Sequence, residues 1–101
     1  MIRSHLLCAL LLAVAAMLSR PGLAADTKGR SLAANCTGCH GTNGVSAGGI
    51  PSIAGLDRER MITLMKEFRD GKREATVMHQ HAKGYTDEQF DAIAAWFAQQ
   101  K

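Results

Sequence analysis

Cys36-Thr37-Gly38-Cys39-His40 concentrates the chemistry of this chain: two thiols three residues apart, with an imidazole directly after the second. That spacing attaches haem covalently, each cysteine forming a thioether to a haem vinyl while the histidine lies beneath the iron. Two other chemistries use a Cys-x-x-Cys pair. A thioredoxin-like redox pair needs a βαβ setting and a nucleophilic thiol at a helix start. A structural zinc site needs four ligands, and His79 and His81 stand at i, i+2, not at the usual zinc-finger spacing.

If iron is bound, His40 is the proximal ligand, and its second ring nitrogen needs an acceptor to fix the tautomer. Pro51 lies in the following Gly-rich stretch, where its fixed φ and free carbonyl suit it to supply that acceptor; the alternative is that it only shapes the loop. The sixth ligand must come from much further along. Met78, ahead of the last helix, is the favoured candidate, with His79 and His81 as rivals. Met/His ligation raises a haem potential, whereas two histidines lower it. Met61 and Met65 fall on apolar helix positions and read as core filler.

The elements that would position these residues are helical. A first helix is expected from about Thr27 into Asn35, and residues 41–55 form a loop rich in turn formers. Asp57 is the expected N-cap of a second helix, whose Met61, Leu64, Met65 and Phe68 repeat at i, i+3, i+4, i+7, with Gly71 at its end. Residues 72–84 read as irregular. Thr86-Asp87-Glu88-Gln89 is a capping box, with Tyr85 placed to staple onto Phe90 and Phe90, Ile93, Ala94 and Phe97 as the buried stripe. The expected fold class is all-α, with three main helices.

The first residues do not belong to that domain. Arg3 precedes an apolar run from Leu6 to Leu18, which Arg20-Pro21-Gly22 interrupts, and small residues follow. The run is shorter than the roughly 20 residues that cross a bilayer. Residues 1–25 are therefore expected to be a secretory signal cleaved near Ala24/Ala25, leaving 26–101 as one periplasmic domain with no membrane anchor. Cys8 would leave with the signal. Of 12 basic and 9 acidic residues, Arg3 and Arg20 would also leave, so the domain is close to neutral and offers no basic surface for nucleic acid. Lys66, Arg69, Lys72, Arg73 and Lys83 are interleaved with Glu67, Asp70 and Glu74 and read as a mixed, solvated face before a docking patch. A domain of this size is small for an unaided core, and Cys36 and Cys39 are too close together to staple it. One large buried cofactor, a single covalent haem c, meets that need.

Gly29-x-x-Leu32-x-x-x-Cys36-x-x-Cys39-His40-Gly41, then Pro51 and Gly55, then Met78 and a terminal amphipathic helix, resembles a class I cytochrome c along essentially the whole domain. The resemblance implies first and last helices that cross, with Gly29 letting Trp96 or Phe97 approach, and one haem edge exposed. The stretches 49–56, 76–79 and 82–85 are similar to the single-haem cytochrome subunit of flavocytochrome c sulfide dehydrogenases. In that family the haem accepts electrons from a FAD-containing subunit that oxidises sulfide. With both axial positions filled, the expected role is an electron carrier with no catalytic residues of its own. The alternatives are a free carrier serving a terminal oxidase or another redox protein, a haem sensor with a labile Met ligand, and a thiol redox module. Leu32, Ile53, Leu56, Leu64 and Phe68 are expected to wrap the haem.

Overall fold

The computed structural model describes His5 and residues 23–101. The expected export segment, with Cys8, lies outside the described residues except at His5 and residues 23–25. Within residues 23–101 five α-helices follow one another: α1 (Leu23–Ala33), α2 (Thr37–His40), α3 (Arg58–Arg69), α4 (Met78–Ala82) and α5 (Asp87–Ala98), with a 3₁₀ turn over Thr42–Gly44. Among the described residues there is no strand, so the fold is all-α.

The two strongest local signals form as the sequence dictates. Asp57 caps α3 by accepting from the Arg60 N–H at 3.0 Å. At the other end Gly71 and Lys72 donate to the Phe68 and Glu67 carbonyls, a Schellman closure. Thr86 and Gln89 make the reciprocal capping box that opens α5, and the Tyr85 and Phe90 rings lie 6.4 Å apart across it. α1 starts earlier than Thr27 and stops at Ala33, short of Asn35.

The segment 72–84, expected to be irregular, contains α4. It escaped the sequence reading because Val77, its N-cap, provides no side-chain acceptor and the helix is barely one turn long.

α5 is the hub. It packs on α1 and α3, and α3 packs on α4. At the crossing with α1, a Cβ on Gly29 would sit 2.8 Å from the Ala92 carbonyl oxygen and 3.4 Å from the Trp96 Cβ, so only glycine permits this approach. Ala33, Met61, Met65, Ala82, Phe90, Ile93, Ala94 and Phe97 form the buried core. Each large apolar side chain buried there is worth about 1.5–3 kcal/mol. The α3–α5 seam is edged by ion pairs, Arg58 with Asp91 and Arg69 with Asp87. Among the described residues no helix is long and apolar enough to cross a membrane.

Candidate haem site

α2 is a single turn that serves to present Cys36, Cys39 and His40. Cys36 caps it, the Cys39 and His40 N–H groups both donate to the Cys36 carbonyl, at 3.4 and 3.0 Å, and the Thr37 hydroxyl ties back to the Ala34 carbonyl at 2.8 Å. Residues three apart on such a turn face the same way, so the two sulfurs can reach one flat partner. Neither cysteine is in a disulfide. Cys39 is exposed, whereas Cys36 is half-buried and burial pushes its thiol pKa up.

His40 Nδ1 lies 2.7 Å from the Pro51 carbonyl oxygen. A carbonyl only accepts, so Nδ1 carries the proton and Nε2 of the neutral ring keeps its lone pair. An imidazole in this tautomer has the donor geometry of a metal ligand. Pro51 is held by a loop that folds back on α5. Gly44, at φ +82°, accepts from the Ile53 and Ala54 N–H groups at 2.8 and 3.1 Å, and Gly55 N–H donates to the Phe97 carbonyl at 2.8 Å. A Cβ on Gly44 would come 2.9 Å from both the Ala54 nitrogen and the Phe97 ring.

Met78 is the first residue of α4, half-buried and packed against the same core cluster that touches Cys36. The structure thus brings the two ends of the expected site onto one core. Met61 and Met65 are buried within that core, at 4 % and 9 % exposure. His81 is exposed; His79 is half-buried, and its Nδ1 is shut from solvent with no hydrogen-bond partner among the described residues. His79 therefore differs from an exposed loop histidine.

The apolar residues expected around a haem are all present as half-buried side chains: Leu32, Ile53, Leu56, Leu64 and Phe68. All but Leu64 pack against the core on one side. Half-buried apolar side chains packed on the core, a pair of free cysteines and an imidazole whose Nδ1 is committed to a carbonyl together fit covalent haem. Three of the basic residues on and just after α3 are engaged: Arg69 with Asp87 and Asp70, Arg73 with Glu67, and Lys66 at 4.0 Å from Asp87. That is the mixed face expected, not a patch of free positive charge.

Three residues that matter here were not singled out in the sequence. Gly44 was legible only as a turn former, since its contact with Phe97 is long-range. Ser46 and Ser52, joined by a bond from the Ser46 N–H to the Ser52 hydroxyl at 2.8 Å, left only a faint trace: two short polar side chains flanking a Gly-rich bend.

A one-turn helix presenting two cysteines and a histidine, on an all-α core built from crossed first and last helices, defines a c-type haem protein. Residues 27–101 match the cytochrome c family, and the chain belongs to it. It is an electron-transfer protein carrying covalently bound haem c. The cytochrome subunit of sulfide dehydrogenase from Chlorobaculum tepidum is 46% identical over 72 residues, covering 71% of this chain and 66% of that protein. The thiosulfate dehydrogenase electron acceptor of Stutzerimonas stutzeri is 37% identical over 62 residues, 59% of this chain and 29% of its own length. Cytochrome c-554(548) of Halomonas halodenitrificans is 34% identical over 70 residues, 65% of this chain and 84% of its own. The chain thus spans just under two thirds of the first relative and under a third of the second.

Proposed function

We propose that this protein is a periplasmic single-haem electron carrier that takes electrons from a FAD-containing sulfide dehydrogenase subunit. In this reading residues 1–25 direct export and are removed, Cys36 and Cys39 hold the haem, and His40 and Met78 are the axial ligands. The observation that carries the ligation is the 2.7 Å contact between His40 Nδ1 and the Pro51 carbonyl, which leaves Nε2 free for iron.

Haem supplies a one-electron couple at iron. The chain's own residues do the rest. Cys36 and Cys39 fix the ring covalently, so it cannot dissociate between oxidation states. The Pro51 carbonyl holds the His40 tautomer and makes the ring a stronger donor. Met78 contributes a soft sulfur that favours the reduced state, and Leu32, Ile53, Leu56 and Phe68 keep water out, which acts in the same direction. His40 and Met78 would together leave no open position for substrate on the iron, and sulfide oxidation would then belong to the flavin partner.

The partner is inferred from the 46% identity to the cytochrome subunit of a sulfide dehydrogenase. A second reading, a free carrier for another redox protein, draws on the 84% of cytochrome c-554(548) that this chain covers.

Affinity purification of the exported holoprotein from its host separates the two: the first reading expects a FAD-containing subunit to copurify, the second a cytochrome alone. For the ligand, Met78→Ala is expected to abolish the weak sulfur-to-iron charge-transfer band of the oxidised protein. Survival of the band would turn attention to Met61 or Met65, and its absence from the wild type would turn it to His79 or His81.

A further inference from the structure

The carbonyl that receives the His40 proton belongs to the Pro51–Ser52 peptide, and the surrounding loop is held unevenly. Downstream, the Ile53 and Ala54 N–H groups both donate to the Gly44 carbonyl, at 2.8 and 3.1 Å. Upstream, the chain passes through Gly48 and Gly49, where an added Cβ would meet nothing within 4 Å, so packing does not restrain it. Across this open stretch runs the bond from the Ser46 N–H to Ser52 Oγ, at 2.8 Å. The Ser46 hydroxyl tightens the same bend, donating to the Gly48 carbonyl at 3.3 Å and accepting from the Gly48 N–H at 3.2 Å.

A peptide unit is rigid, so the direction of the Pro51 oxygen is set by the torsions on either side of it. The pyrrolidine ring fixes φ of Pro51. What remains is ψ of Pro51 together with φ of Ser52. The Ser46–Ser52 bond closes a ring of chain around those two torsions. We propose that Ser52 is a positioning residue for the proximal histidine: by latching onto Ser46 it aims the Pro51 carbonyl at His40 Nδ1 and so sets how strongly the imidazole donates to iron. Ser52's role rests on His40 being the proximal ligand.

The sign follows from the chemistry. A well-aimed acceptor on Nδ1–H makes the imidazole more basic, and a more basic ligand favours ferric over ferrous iron. Loosening the acceptor therefore raises the reduction potential. Ser52 acts through Pro51, one step removed from the ligand, so its effect is expected to be smaller than that of a direct outer partner, at about two- to fivefold in the oxidised-to-reduced ratio at a fixed poise.

The test uses the purified holoprotein and its Ser52→Ala and Ser52→Thr variants, with redox titration, NMR of the His40 ring protons and thermal melting. Ser52→Ala is expected to shift the ratio toward reduced protein and to move the His40 ring resonances, leaving the Met78-dependent charge-transfer band in place. Ser52→Thr, which keeps the hydroxyl, is expected to return both readouts towards wild type. A residue that merely ties the loop would lower the melting temperature and leave potential and ring resonances where they were; that result overturns the assignment. A His40→Ala holoprotein with an unchanged haem spectrum would overturn the ligation itself, and Ser52's role with it.

Discussion

The crossing of α1 on α5 and the loop-and-α4 side of the molecule are built on opposite terms. At the crossing, protein packs on protein: Gly29 admits Ala92 and Trp96, and Ala33, Phe90, Ile93, Ala94 and Phe97 are buried. Leu32, Ile53, Leu56, Phe68 and Met78, by contrast, pack against the core and are only half-buried. One region is finished by the polypeptide; the other presents half-buried apolar surface, which haem would cover if it is held as proposed. On that reading the cofactor of so small a domain would be part of its hydrophobic core as well as its redox centre.

The sharpest way to break this contrast is to remove attachment. Cys36→Ser with Cys39→Ser is expected to give an exported chain of mature size that shows no haem-peroxidase stain on a denaturing gel; retained stain would mean the haem is held elsewhere.

Next come two phenylalanines, one from each region. Phe97→Ala in the finished core is expected to cost about 3–5 kcal/mol, a loss of roughly 15–30 °C in melting temperature. The haem spectrum of the folded variant should be unchanged. Phe68→Ala on the half-buried side is expected to cost less in melting and to lower the reduction potential as water gains access. If Phe68→Ala melts like Phe97→Ala and leaves the potential alone, Phe68 is ordinary core and the contrast fails there.

Smaller effects belong to the edges of the crossing helices. Thr86→Ala removes one half of the capping box and is expected to cost about 0.5–2 kcal/mol in thermal or denaturant unfolding, with no change in potential. The smallest effect is acidic. The hydrogen bond from Arg69 holds the Asp87 carboxyl below its ordinary value. A carboxyl lowered in this way contributes stability above its unfolded pKa of about 3.9, and the contribution is lost as pH falls through the lowered folded value. Melting temperature should therefore decline below about pH 4, and less steeply in Asp87→Asn. Asp87 is exposed and Arg69 half-buried, and added salt should shrink the difference.

What was legible in the sequence follows the same division. The Asp57 cap, the Gly71 ending and the Thr86–Gln89 box are contacts between residues a few positions apart, so spacing alone reveals them. The Cys36, Cys39 and His40 constellation is equally local. α4 was hidden because nothing at Val77 announces a helix start, and a helix that short draws its stability from packing on α3. The Arg58–Asp91 and Arg69–Asp87 pairs join residues far apart in sequence, and charge order along one helix does not specify a partner on another. Gly44 shows the limit well. As a turn former it was evident, but its closeness to Phe97 depends on how the loop folds over α5.

That contact has a consequence for the order of assembly. The segment that aligns His40 is synthesised well before the helix that anchors it, because Gly44 and Gly55 are fixed by Phe97. A nascent chain that has displayed Cys36-Thr37-Gly38-Cys39-His40 does not yet hold the histidine in its final orientation. If Cys36 and Cys39 carry the haem, their thioethers would not require α5 to be in place, whereas the loop that meets His40 does. On the proposed ligation, haem attachment and the final alignment of His40 are separable events, the second following the docking of α5 against Gly44 and Gly55.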